Sequence, residues 1–469
     1  MKDYLNILNG TEPAFIQIAK YYRDRFLNGD IPTGTEFPSM RSLADLLGLP
    51  LNSFIQAIDL LASEGYVDKS RKKITVIYET KGDKKLFDWN YFIRRGDHYT
   101  KINTMTTMSE YIHAQVYGNK CFVNEEFGFT ELYKSSLNKA ADNLTELPYL
   151  IRQTGDLELL ERIAGLLEER GIKATPDELM IVSNDMMSFY IIFMYLLSSK
   201  ATILYSTPCR LSPFNMELFA HMHTASLKTD EKGILPDDLY TRIKRSTNPV
   251  LFIEPRCMWP EGQDTDPERM LEIAELCSRL SVPIIECDAM WENLVDDSTR
   301  PIKANDTAGN VIYNSSFFPL FNPADNFAFL AAPEPVIRRL SVIYSQINAT
   351  SSYISQQLVL EILKNGAYLP FIEGFRKQLA ERHEQTYALM DKYLTGLATW
   401  ERPKNGIIVP ITFNQDRNIF KMALDDTSCN WFPDVYCEDF DRKMLLLITS
   451  CTVDKLEEFI ASLARKLKE

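Results

Sequence analysis

Apolar residues recur at helical spacing from the start of the chain. Phe15, Ile18, Ala19, Tyr22 and Phe26 share one face of a helix that stops near Asn28 and Gly29. Ser39 is placed to cap a second helix carrying Leu43, Leu46 and Leu47, which Gly48 ends. A third helix runs from about Asn52 to Glu64, with Phe54, Ile55, Ile58 and Leu61 inward and Gly65 as its stop. The next stretch, YVDKSRKKITVIYE, alternates like two short strands around a basic turn. Three helices and a wing are expected over residues 13–78, an α+β winged helix-turn-helix.

Residues 79–125 show mixed charge and few periodic runs, and read as a linker. From about Phe127 helical and strand periods alternate, which predicts an α/β body with a mainly parallel central sheet. Strands are expected at Leu179 to Ser183, Thr202 to Ser206, Thr224 to Lys228, Val250 to Glu254, Pro283 to Cys287 and Asn310 to Tyr313, with a further one ending at Ala332. Helices are expected around Glu131 to Asp142, through Leu160 to Arg170, and up to Leu280, the last capped by Asp266 with Pro267 in its first turn. The most apolar run, Phe189 to Leu197, suits a buried helix and falls short of the ~20 residues that span a bilayer.

Composition adds the compartment and the charge. A chain of 469 residues, 45% hydrophobic and 25% charged, is expected to be soluble and to form two or more domains. The start, MKDYLNILNG, lacks an apolar signal core, so a cytoplasmic protein without a membrane partner is expected. The net charge of −13 is uneven: residues 1–78 hold nine basic and nine acidic groups, so a neutral module precedes an acidic body. The eight cysteines are scattered without a CxxC pair and read as reduced thiols. His221 and His223 could share one side of a strand, but no third ligand accompanies them and no metal is expected.

Residues 13–78 resemble the GntR-type DNA-binding domain through Gly29-Asp30-Ile31-Pro32, Phe37-Pro38-Ser39-Met40-Arg41, Leu43-Ala44, Leu47-Gly48 and Leu60 to Gly65. The resemblance implies DNA as partner, with Ser39 and Arg41 matching the family's contact run. The family's second arginine falls on Leu51 and its capping serine on Pro50, leaving Asn52 or Ser53 to accept the free amides of the recognition helix. The family's wing glycines are replaced by Ser70-Arg71-Lys72-Lys73, and Arg71, Lys72 and Lys73 are expected to track the phosphate backbone.

The segment YNSSFFPLFNPADNFAFLAAP, Tyr313 to Pro333, resembles the Schiff-base segment of fold-type I pyridoxal-phosphate (PLP) aminotransferases and of the body of MocR-type regulators. The resemblance spans Phe127 to the C-terminus and implies a PLP-transferase-like body with a small C-terminal α/β subdomain. In that register the lysine position is Pro319, the serine before it Phe318, and the phosphate-binding arginine Asn326. The phosphate turn is Ser183 to Ser188, with Asn184 for the glycine and Asp185 bringing negative charge. The pyridine carboxylate falls on Cys287 and the ring-oxygen tyrosine on Met290. Asp288 is one residue late and should point to the other face. Trp259 stands where a smaller group would meet the cofactor, and Ser316 is expected to cap the turn. Phe317, Phe318, Phe321 and Trp259 are expected to fill the vacated cavity.

Lys303 is too early to replace the lysine, and Arg442 only borders the strand where a substrate-binding arginine belongs. Without the lysine no internal aldimine forms. The expected function is a DNA-binding transcription regulator whose catalytically inactive body serves dimerisation or the sensing of a small effector, with no covalent cofactor. The alternative is a working PLP-dependent aminotransferase with a DNA-binding appendage. The expected domains are 1–78 for the winged helix, 79–125 for the linker and 126–469 for the body, with its large part at about 150–340 and its subdomain at about 370–469.

Overall fold

The structure, a computed structural model, describes residues 12–37, 39–41, 44, 50–69, 73–78, 123–144, 152–197, 200–206, 209, 223–260, 262–317, 327–347, 351–415, 431–433 and 442–468. The chain divides into two compact units, Met1–Asn103 and Thr104–Glu469.

In the first unit, α1 (Ala14–Leu27) packs against α2 (Leu51–Ser63), and β1 (Val67–Asp68) pairs antiparallel with β2 (Thr75–Val76). An isolated bridge from Glu36 to Thr75 adds a third backbone segment to the wing. Ile18, Ala19, Tyr22 and Phe26 of α1 meet Phe54, Ala57, Ile58 and Leu61 of α2 in a core closed by Tyr66, Val67 and Val76. Ile55, expected inward, is only half-buried, and Ala57 takes the inward place. Ala57 lies three residues after Phe54 and four before Leu61, on the same stripe. Arg23 makes a bidentate ion pair with Glu64, at the end of α2, fixing one helix on the other. Of the middle helix, Met40, Arg41 and Ala44 are helical, whereas Leu43, Leu46, Leu47 and Gly48 lie outside the described residues.

The second unit is built on a seven-stranded sheet. Its strands are β3 (Leu179–Val182), β4 (Thr202–Ser206), β5 (His223–Leu227), β8 (Pro249–Ile253), β9 (Ile284–Cys287), β10 (Val311–Ser316) and β11 (Ala328–Ala331), in the order β3-β11-β10-β9-β8-β4-β5. The hairpin β6 (Thr229–Asp230) and β7 (Gly233–Ile234) lies apart from it. Only β11 runs against its neighbours; the other pairings are parallel. Strands such as LMIV in β3 are apolar throughout because helices cover both faces.

Helices α3 (Phe129–Asp142), α4 (Leu157–Glu169), α5 (Asp185–Leu197), α6 (Pro236–Arg245), α7 (Pro267–Arg279), α8 (Glu334–Gln346) and α9 (Tyr353–Lys364) surround the sheet. α5 and α8 pack on one face with Met180, Ile285, Cys287, Ile312 and Leu330. The opposite face carries Ile181, Tyr313, Phe317 and Phe329 toward α4, α9 and α10 (Tyr368–Leu394). Asp266 caps α7 by accepting from the Glu268 and Arg269 amides at 3.1 Å, with Pro267 at the first position, as its sequence predicts. Gly155, at φ +113°, passes so close to β3 that a Cβ there would sit 2.4 Å from Ile181 Cδ1.

The chain closes with an antiparallel sheet of β12 (Ala398–Trp400), β13 (Ile408–Phe413), β14 (Trp431–Pro433) and β15 (Lys443–Leu447), packed with α10 and α11 (Val453–Lys468). No described helix is long and apolar enough to cross a membrane. Cys209, Cys257, Cys277, Cys287 and Cys451 are buried and form no disulfide. Cys121, Cys429 and Cys437 lie outside the described residues.

Candidate functional site

Two regions carry the residues singled out from sequence. In the winged unit, α2 starts after Pro50, whose φ of −62° suits the position before a first turn, and no side chain caps it. Asn52 and Ser53, expected to accept the free amides, do not. They sit inside the first turn, and capping geometry belongs to the residue before it. Asn52 is exposed and Ser53 half-buried. Ser39 and Arg41 are exposed at the start of the middle helix. Lys73 is exposed and forms an ion pair with Glu36 at 2.6 Å, while Lys69 pairs with Asp59 of α2 at 2.5 Å. Pairs this exposed are worth about 0–1 kcal/mol, so a phosphate can displace either carboxylate. Arg71 and Lys72 lie outside the described residues. Gln56, one turn beyond Asn52 on the exposed side of α2, was not among the expected contacts.

In the body, the start of α5 is closed by its own side chains. Asn184 Oδ1 accepts from the Met187 amide at 2.7 Å, and Asp185 Oδ1 accepts from the Met186 amide at 2.8 Å. The Ser188 amide donates to the Asn184 carbonyl at 3.1 Å. A helix start binds phosphate through free amides and the positive end of its dipole. Here the Met186 and Met187 amides are engaged, and the buried Asp185 carboxyl adds a group that repels a dianion.

Cys287 ends β9 on the face covered by α5, opposite Asn314 in the parallel register of β10. A thiol cannot hold a pyridine nitrogen protonated as a carboxylate does. The Asn314 amide group and the Ser316 hydroxyl are buried and have no hydrogen-bond partner among the described residues. Ser316 therefore does not cap the turn, because β10 keeps pairing past it: the Phe317 amide donates to the Phe327 carbonyl at 3.3 Å.

Phe317, expected in the vacated cavity, packs instead on Phe327, Phe329 and Tyr368, on the opposite face of the sheet. It lies one residue out of phase with Ser316. Trp259 is half-buried and Met290 buried, and with Cys257 and Gly406 they line a gap of only ≈ 10 Å³. Phe318, Pro319, Phe321 and Asn326 lie outside the described residues. Lys303 Nζ reaches Asp306 at 2.8 Å and the Val311 carbonyl at 2.9 Å, at the start of β10 and not at its end. Arg442 donates to the Asn414 carbonyl at 2.8 Å. His223 is exposed at the start of β5, and His221 lies outside the described residues. The groups present at the described part of this site do not fit PLP.

Asp288 points away from Cys287 into a buried ionic network. Arg256 donates to both of its oxygens, and also to Asp297 Oδ1 at 2.9 Å and the Thr299 carbonyl at 2.8 Å. The Tyr313 hydroxyl donates to Asp288 and accepts from Arg170 Nη1 at 2.9 Å; Arg170 also reaches Ser315 Oγ at 2.7 Å. Burial alone would lower the Arg256 pKa, and the facing Asp288 carboxylate, with Tyr313 and Asp297, raises it above its ordinary value. Nothing in the sequence announced this network: Arg170 reads as a routine last-turn cation, and its partner Tyr313 is 143 residues away.

An archaeal alanine:glyoxylate aminotransferase superposes with a TM-score of 0.69 at 17% identity, over 81% of this chain and 99% of its own. The body has the fold of a type I aminotransferase. A second such structure, the α-aminoadipate aminotransferase LysN of Thermus thermophilus, gives a TM-score of 0.66 at 19% identity, over 76% of this chain and 94% of its own. In sequence the chain is similar to helix-turn-helix-type transcriptional regulators. YdfD of Bacillus subtilis (strain 168) is 26% identical over 97% of both chains. NorG of Staphylococcus aureus (strain USA300) is 25% identical over 82% of this chain and 88% of its own. No protein-family model matches the sequence. A helix-turn-helix unit joined to an aminotransferase-type body is consistent with a MocR-like fusion.

Proposed function

We propose that this chain is a cytoplasmic transcription regulator of the MocR kind within the GntR type, which binds DNA through its winged unit as a homodimer. Residues 1–78 form the DNA-binding domain, 79–125 the linker and 126–469 the body. The body performs no transamination and serves dimerisation and effector sensing. The observation that carries this reading is the start of α5, where Asn184 and Asp185 occupy the amides that a cofactor phosphate needs. Full-length regulator relatives support the DNA-binding half. The Asn314 amide and Ser316 hydroxyl, which have no partner among the described residues, support a small polar effector on the α5 face, because a buried polar group left unpaired costs about 1–3 kcal/mol.

Two measurements test the reading. Fluorescence anisotropy with duplexes from upstream of the protein's own gene is expected to show binding that Arg41→Ala weakens and that falls steeply with salt. Absence of binding at low salt overturns the DNA-binding half. Incubation with PLP followed by borohydride is expected to leave the mass unchanged, and a stoichiometric reduced adduct overturns the inactive body.

A further inference from the structure

The outward surface of α2 carries no cation. Its sequence, LNSFIQAIDLLAS, contains neither Lys nor Arg. With Phe54, Ala57, Ile58 and Leu61 held in the core, Asn52, Gln56, Asp59 and Ser63 are exposed. Their spacing of four, three and four residues lines them along one stripe. The Arg23 to Glu64 ion pair and the edge-on contact of Tyr22 with Phe54, at 5.9 Å, fix which way that stripe faces. Asp59 is tied to Lys69. The half of the stripe nearer the helix start is left with two primary amides, Asn52 and Gln56.

A primary amide sets one donor beside one acceptor. In the major groove adenine presents N7, an acceptor, beside the N6 amino donor, which an Asn or Gln side chain pairs with in bidentate fashion. Guanine presents two acceptors, N7 and O6, and calls for a two-donor fork such as arginine; an amide there leaves its carbonyl against an acceptor. In helix-turn-helix folds the residues at the N-terminal end of the recognition helix meet the base edges.

From this chemistry we infer that Asn52 and Gln56 are specificity residues that read adenines, so that each half-site carries A·T pairs where α2 enters the groove. The inference rests on the DNA-binding reading and adds the base class. Four residues of helix advance ~6 Å, which is about two base-pair steps of duplex. The two adenines therefore lie within about two steps of each other.

Selecting bound duplexes from a randomised pool with the full-length protein tests this. Enrichment of two adenines about two steps apart is expected. Asn52→Ala and Gln56→Ala should each relax the preference at one position roughly 5- to 100-fold, and Gln56→Arg should move it from adenine to guanine. Circular dichroism checks that the variants fold. Enrichment of G·C pairs, or a preference that the alanine variants leave unchanged, overturns the inference while leaving DNA binding standing. Recovery of no duplex at low salt overturns both together.

Discussion

The two faces of the seven-stranded sheet treat charge in opposite ways at the same level of the structure. On the α5 face the ends of β9 and β10 present a thiol, an amide and a hydroxyl at Cys287, Asn314 and Ser316. One residue along, on the other face, Asp288 meets Arg256, Tyr313 and, through Tyr313, Arg170. The carboxylate that directly follows Cys287 is thus committed to holding the fold. A buried ion persists where partners surround it, as Arg256 and Tyr313 surround Asp288. The difference teaches that in this body the paired buried charges gather on the face of Asp288 and Arg256, while the strand ends on the α5 face carry uncharged groups beside the carboxyl of Asp185.

The largest test of that contrast is Arg256→Ala, which leaves Asp288 buried without its cation. Such a loss costs about 3–5 kcal/mol, read as a lower urea midpoint. An unchanged midpoint would mean that Asp288 is not supported from this side. Next in size is Cys287→Asp, which adds a buried carboxylate to the α5 face. It is expected to destabilise by about 2 kcal/mol and, on the proposed register with Pro319 in place of the lysine, still to yield no borohydride-fixed adduct with PLP. An adduct would break the comparison outright.

Glu292 gives a pH-dependent test. Burial pushes its carboxyl from 4.5 up to about 7, against the pull of Arg170 and the Tyr368 hydrogen bond. The folded protein therefore keeps a proton that the unfolded chain has released, and stability falls as pH rises from about 4.5 to about 7. Burial, reinforced by Asp288, pushes Glu286 up to about 8 and extends the decline. Glu292→Gln should raise the Tm by a few degrees above pH 7 and leave it nearly unchanged below pH 4.5, in thermal scans across that range. An equal effect at both ends would place the origin elsewhere. Smallest of all is Ser316→Ala, where a hydroxyl with no partner among the described residues is exchanged for a methyl. Its effect on the urea midpoint should be within about 0.5 kcal/mol or slightly stabilising; a clear loss would reveal a partner for that hydroxyl.

What was legible in the sequence follows from the range of the forces involved. The sheet strands β3, β4, β5, β8, β9 and β10 start within one residue of their expected places, because apolar runs bounded by turns depend on local pattern, whereas the short hairpin of β6 and β7 was not expected. The cap at Asp266 and the opposed faces of Cys287 and Asp288 were also readable, the latter from the period of two alone. The exchange of Ile55 for Ala57 was not, since packing chose the smaller residue for a tight helix contact. Closure of α5 by Asn184 and Asp185 depends on rotamers that no pattern encodes. The network of Arg170, Arg256 and Tyr313 joins residues brought together only by the sheet.

Trp291 gives that network an optical consequence. Its indole is buried, donates to Asp297 at 3.0 Å, and carries the Arg170 and Arg376 guanidinium groups 4.0 and 4.5 Å from its ring centre. Arg170 belongs to the end of α4 and Arg376 to α10, so any slide of α10 along the sheet changes the field across the ring. The chain holds five tryptophans, and subtracting the spectrum of Trp291→Phe isolates this one. The body thereby contains its own fluorophore, wired to the last of the helices that lie between the large sheet and the small one.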